Sequence, residues 1–241
     1  MRPLILPDSG RPFDFNSVPI ASISGYDGLI AIGANFLPET LLSAYRCGLF
    51  PWYRYKGLPY WYCPDPRMVL HQGQLHITKS MKSLIKQHPF KITCDLGFES
   101  TIRACAGIKR KNEDATWIDA DFIKAYTRLH HAGYAHSFEA WQNDQLVGGL
   151  YGIGIGKVFF GESMFSNKSN ASKLAFIEAV RFLEYHGFRM VDCQVSTEHL
   201  KSLGAKAISK EEYLRLISDW ALPGSMDGIR WNERFIQHSP L

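Results

Sequence analysis

Nowhere do the 241 residues hold an apolar run approaching the ~20 needed to cross a bilayer as a helix, so no membrane partner is expected. Cysteine is sparse. The five stand at 47, 63, 94, 105 and 193, and no two make a C-x-x-C pair. That disfavours both a disulfide framework and a zinc site, and it suits a reducing cytoplasm. The opening MRPLILPDSG is interrupted by Pro7 and Asp8, so no signal peptide is expected there. Internal repeats and low-complexity segments are missing as well. Neither sign of charge dominates: the net charge is +4, which allows a polyanionic partner without requiring one.

A nucleotide-phosphate loop is also missing, although GGLYGIGIGKVFFGE (148–162) invites one. A G-x-x-x-x-G-K-[ST] loop needs glycine where Tyr151 stands and Ser or Thr where Val158 stands. A G-x-G-x-x-G motif begun at Gly154 meets Phe159 at its third glycine. Both motifs must also run into a helix, and here a strand pattern follows. Glycines inside strands leave two readings open: tight packing, or close approach by a ligand or another backbone.

What remains is the composition of a folded domain, 46% hydrophobic and 21% charged. Residues 1–35 read as loops with short extended pieces. Residues 38–48 read as a helix, entered at Pro38 and left at Gly48. The aromatic, proline-punctuated stretch 49–67 should be neither a regular helix nor a central strand. It reads as a rigid aromatic layer between two domains. Beyond it the pattern predicts strands at 67–71 and 90–94 and helices at 79–87, 98–107 and 118–133. A three-strand meander follows over 135–165, then a long helix over 171–187 capped by Asn170. A strand at 188–195 and short helices at 197–203 and 210–220 complete the pattern. This is an α/β (α+β) order with a mixed sheet flanked by helices, as in the GNAT acyltransferase superfamily. Fold analogy alone carries no function.

Several residue groups could carry chemistry. Strand alternation puts Asp192 and Gln194 on one face of VDCQ (191–194), and Phe160, Glu162 and Met164 on one face of FFGESMF (159–165). Carboxylates among apolar strand residues need partners or a purpose. Trp52, with Trp117 further on, could stack on nucleobases or fill an interface core. Lys79, Lys82 and Lys86 share a helix face, and Arg103 precedes the run Lys109, Arg110 and Lys111. Such stripes track phosphates or simply face solvent.

FPWY (50–53), WYCPDPR (61–67), TWI (116–118), GGLYG…FFGESMFS (148–166), NASK (170–173) and VDCQ (191–194) together resemble the leucyl/phenylalanyl-tRNA–protein transferases. The resemblance spans residues from about 25 to 210 and departs where WYCPDPR replaces WWSPDPR, at Tyr62 and Cys63. It implies a small N-terminal domain (1–63) and a GNAT-like catalytic domain (64–241). It implies transfer of Leu or Phe, less readily Met, from aminoacyl-tRNA to proteins beginning with Arg or Lys, which are then degraded. The chain is expected to act as a monomer. By motif, Trp52 and Trp117 would contact the terminal adenosine, and Tyr45 would lie near the site. Leu150, Phe159 and Met164 would take the side chain. Glu162, Asp192 and Gln194 would serve aminoacyl binding and catalysis. The lysines, with Arg103 and Arg110, would meet the acceptor stem. The ester arrives activated, so no cofactor or metal is expected. A coenzyme A-dependent N-acetyltransferase is the rival, yet SNKSNASK (166–173) lacks the glycines of its pyrophosphate loop. A non-catalytic RNA-binding module would leave the carboxylates idle.

Overall fold

The computed structural model describes residues 3–23, 26–108, 118–222, 229 and 231. Lys109, Arg110, Lys111 and Trp117 therefore lie outside the described residues. The N-terminal part supplies β1 (Leu4–Leu6), β2 (Leu29–Gly33), α1 (Pro38–Arg46), β3 (Phe50–Tyr55) and β4 (Leu58–Tyr62). Its four-stranded sheet has the order β1-β2-β4-β3. The aromatic stretch is thus a hairpin, and β4 is an interior strand, contrary to the expectation from its prolines. Two details reconcile them. Pro51 sits on edge strand β3 beside a register shift, where a missing N–H is tolerated. Pro59 lies at the start of β4, beyond Tyr60, the last residue registered with β2. Trp61 is fully buried, and its indole N–H donates to the Gly33 carbonyl at 2.8 Å.

The larger part runs β5 (Arg67–His71), α2 (Lys79–Lys86), β6 (Lys91–Cys94), α3 (Phe98–Ala106), α4 (Ala120–His131), β7 (Ala135–Gln142), β8 (Gln145–Ile155), β9 (Val158–Ser166), α5 (Ala171–Tyr185), β10 (Met190–Gln194), α6 (Glu198–Ser202), β11 (Lys206–Ile208) and α7 (Lys210–Trp220). Its seven-stranded sheet has the order β11-β5-β10-β9-β8-β7-β6. The pairing of β10 with β9 is parallel, and helix α5 supplies the crossover that a parallel pair requires. The result is a mixed sheet with helices on both faces, the α+β arrangement expected.

Asn170 stands at the cap position of α5, but its side chain makes no capping bond and its backbone is left-handed at φ 66°. The Ser166 hydroxyl caps instead, accepting from the Ser172 N–H at 3.2 Å. The two sheet faces bury different cores. Phe98, Ile102, Phe122 and Tyr126, from α3 and α4, join the aromatic residues of the N-terminal part in one core. Leu174, Phe176 and Val180 of α5 form the other, with Met81, Leu84 and Ile85 of α2 packed against it.

Candidate active site

The site is built where alternation fails. Strands β8 and β9 pair Tyr151 with Ser163 but Gly152 with Gly161, so Glu162 is the extra residue of a bulge. Past it the faces exchange. Phe160 belongs to the α3/α4 core and Met164 packs against the α5 core, so the expected shared face does not exist. Glu162 turns toward Phe160's side, where Tyr45 packs against Phe160 with ring centroids 5.1 Å apart. A second irregularity ends β10. Its register with β5 shifts between Asp192 and Gln194, and Gln194 is left-handed at φ 61°. That conformation costs a non-glycine residue of order 1 kcal/mol.

Asp192 is fully buried, and its carboxylate is saturated. Oδ1 accepts from Arg67 Nε and from the Gln194 backbone N–H, both at 2.9 Å. Oδ2 accepts from Arg67 Nη2 at 2.6 Å and from the Tyr213 hydroxyl at 2.8 Å. Four donors fill the roughly four lone-pair sites of a carboxylate, leaving none for a substrate. Arg67 is equally buried. Burial alone would lower its pKa, but Asp192 beside it reverses the direction. The bidentate pair fixes the end of β10, and the Gln194 backbone with it.

Gln194 donates through Nε2 to Glu162 Oε1 at 2.9 Å. Glu162 also meets two phenols, Tyr45 at 2.7 Å on Oε1 and Tyr126 at 3.0 Å on Oε2. The phenol oxygens are themselves 2.5 Å apart. Three oxygen–oxygen contacts need three protons, and the two phenols carry only two. The triangle closes fully when Glu162 holds the third. Burial pushes the Glu162 carboxyl up to about 7, and the nearby Asp192 charge adds to that. The hydrogen bonds from Tyr45, Tyr126 and Gln194 pull the other way. Near neutral pH the proton is therefore shared between the bound and released states.

Glu162 and Gln194 line a cavity of about 480 Å³ with Trp52, Leu150, Phe159 and Met164. This is the size of a small-ligand site. Trp52 is half-buried, with Tyr62 edge-on at 5.0 Å and Phe50 at 5.8 Å. Tyr62, one of the two departures in the motif, thus keeps an aromatic ring beside Trp52. The other, Cys63, is buried. His199 lies along the same cavity, its pKa lowered by burial and by Lys173.

Among the described residues, the basic candidates do not form one surface. Lys79, Lys82 and Lys86 are exposed on α2, on the α5 side of the sheet. Arg103 is exposed on α3, on the opposite side, and pairs with Glu99 at 3.4 Å. Three residues of the cluster escaped the sequence reading. Tyr126 falls in the apolar stripe of a helix, where it reads as core. Tyr213 gives no signal at all. Arg67 closes the PDPR motif, and its full burial is legible only once β5 is interior.

Two family models match the chain. One, described as leucyl/phenylalanyl-tRNA protein transferase, matches residues 69–218, and one for the N-terminal domain of that transferase matches residues 34–65. A leucyl/phenylalanyl-tRNA–protein transferase of Syntrophobacter fumaroxidans is 44% identical over 213 residues, covering 88% of this chain and 91% of the relative. One of Azotobacter vinelandii is 47% identical over 204 residues, covering 84% and 90%. A solved structure of L-PGS from Bacillus licheniformis aligns with a TM-score of 0.40 at 10% identity, over 70% of this chain and 54% of that one.

Proposed function

The chain belongs to the leucyl/phenylalanyl-tRNA–protein transferase family, and from that premise we propose that it moves Leu or Phe, less readily Met, from aminoacyl-tRNA onto proteins beginning with Arg or Lys. The acceptor is thereby marked for degradation. One observation carries the reading: an apolar cavity walled by Leu150, Phe159 and Met164 is also lined by the hydrogen-bonded Glu162–Gln194 pair. An aliphatic or aromatic side chain suits the apolar wall, and methionine adapts to either shape. The α-ammonium of the aminoacyl group suits Glu162 in its ionised form, whose three donors leave one lone-pair site free. Trp52, and Trp117 with it, would stack on the terminal adenosine. Residues 1–63 and 64–241 act as the two domains.

The chemistry then rests on placement. The ester is already activated, and the attacking α-amine has a pKa of ~7.7–8.0, so roughly a tenth is neutral at pH 7. Holding that amine against the ester carbonyl converts a bimolecular step into an intramolecular one. The new C–N bond forms as the ester C–O bond breaks. The surplus amine proton passes to the departing ribose oxygen or to solvent. Asp192 acts through Gln194 as a positioning residue, because its own oxygens are filled.

The acetyltransferase alternative needs free N–H groups at the start of α5 to hold a pyrophosphate. Two of the first are engaged within the chain, Ala171 N–H by the Lys168 carbonyl and Ser172 N–H by Ser166. The deciding experiment mixes the protein with labelled Phe-tRNA and a protein beginning with Arg. Label on the protein's N-terminus supports the transferase. Label transferred from acetyl-coenzyme A instead would support the rival.

A further inference from the structure

The glycine-rich strand β8 remains unexplained by the chemistry above, and the space over its glycines is occupied. A Cβ on Gly152 would stand 2.6 Å from the Phe159 ring, and one on Gly154 would stand 3.3 Å from the ring of Trp231. The two glycines therefore seat two aromatic rings side by side on one face of the strand. Phe159 presents its ring to the cavity. Trp231 lies on it with centroids 6.4 Å apart, tilted by 34°. Trp231 is in turn fixed from behind by His136, stacked at 3.5 Å and 7°. His136 is held by Asp95 at 2.8 Å and by the Gly133 carbonyl at 3.1 Å. Phe182 at 5.4 Å and Phe188 at 5.8 Å complete the ring of contacts.

We propose that Trp231 is a specificity-determining residue, the backstop that fixes Phe159 and so sets the depth of the side-chain cavity. This rests on the transferase reading. Aromatic pairs within 7 Å hold their relative orientation, and a cavity behind one ring is a place into which it can move. Without Trp231 the Phe159 ring shifts into the space vacated over Gly154, the cavity deepens, and the larger aminoacyl side chain gains.

The test measures kcat/KM for Phe-tRNA and Leu-tRNA in wild type, Trp231→Ala and Trp231→Phe. The Phe-to-Leu ratio rises about threefold or more in the alanine variant, the order expected for a pocket altered by a small group. It returns toward wild type in the phenylalanine variant, which restores a ring. Equal slowing of both substrates, or a ratio shifted toward Leu, overturns the proposal and leaves Trp231 a plain packing residue. Should the alanine variant not fold, Trp231→Leu gives the same readout, because it keeps apolar volume without a flat face. A wild type that transfers from neither tRNA overturns the functional reading and this inference together. An active wild type with an unmoved ratio overturns the inference alone.

Discussion

Two buried carboxylates, a strand apart, are given different tasks by the donors around them. Asp192 faces a guanidinium and is spent on structure, whereas Glu162 faces phenols and an amide and gives up its proton only near neutrality. Removing the charge at Asp192 leaves Arg67 buried and unpaired. Asp192→Asn should lower stability by about 3–5 kcal/mol in denaturant titrations. A loss under about 1 kcal/mol would mean that the pair does not anchor β10. Glu139 provides a comparison away from the cavity. Burial raises it to about 7 although Ser137, Thr93 and the Gly97 N–H donate to it. An acid raised in the folded state favours folding fully below its unfolded pKa, and that advantage is lost as pH climbs through the folded value. Wild-type stability should therefore fall between about pH 4.5 and 7, and Glu139→Gln should remove about 3 kcal/mol of that fall. An unchanged slope in thermal melts at pH 5, 6 and 7 would rule this out. The residue types at 162, 192 and 194 were legible in the sequence. Their division of labour was not, because it depends on Arg67 and Tyr213, 125 and 21 positions away from Asp192.

Among the elements, boundaries followed from local chemistry and errors followed from tertiary pairing. The entry of α1 at Pro38, the three-strand meander and the long helix α5 were readable from propensity and punctuation. The bulge at Glu162 was not, since it arises only when β8 lies beside β9, and a single extra residue reverses every facing downstream. Strand β4 was misjudged for the same reason. A proline's cost depends on whether its N–H side has a neighbour at that register, which composition cannot tell. Helices α2 and α3 teach a related lesson, because their basic residues lie near in sequence and on opposite sheet faces in space. Only one can track a given stretch of acceptor stem. The start of α2 is tied to the end of α6, where His76 N–H donates to the Leu203 carbonyl at 2.9 Å, and α6 borders the cavity through His199. The α2 stripe is therefore the better candidate. In Lys79/Lys82/Lys86→Ala the salt dependence of tRNA binding should fall by about one unit of slope per lost contact, and in Arg103→Ala it should not change. The reverse pattern would move the interface to α3.

At the scale of the whole molecule, the cavity belongs to neither sheet alone. Trp52 comes from the small sheet, Glu162 and Gln194 from the large one, and Tyr45 reaches across from α1. The small sheet ends with β4 at Tyr62 and the large one begins with β5 at Arg67, yet one core spans both, and that sharing was not legible in the sequence. Because Trp52 is half-buried at the rim, Trp52→Ala should weaken aminoacyl-tRNA binding by ~1–3 kcal/mol, with little change in melting temperature. Unfolding of that variant at ordinary temperature would assign the ring to the core instead. The central claim is that Glu162, in the wall of this shared cavity, holds the aminoacyl group for transfer. Single-turnover transfer from Phe-tRNA, followed against pH for wild type and Glu162→Gln, tests it most directly. The account predicts a variant about 100-fold slower at pH 7.5, with unchanged affinity for uncharged tRNA. It also predicts that the wild-type rise through pH 7 narrows in the variant to the limb of the acceptor amine, near pH 8. A Glu162→Gln variant that transfers at the wild-type rate with the wild-type profile would contradict it.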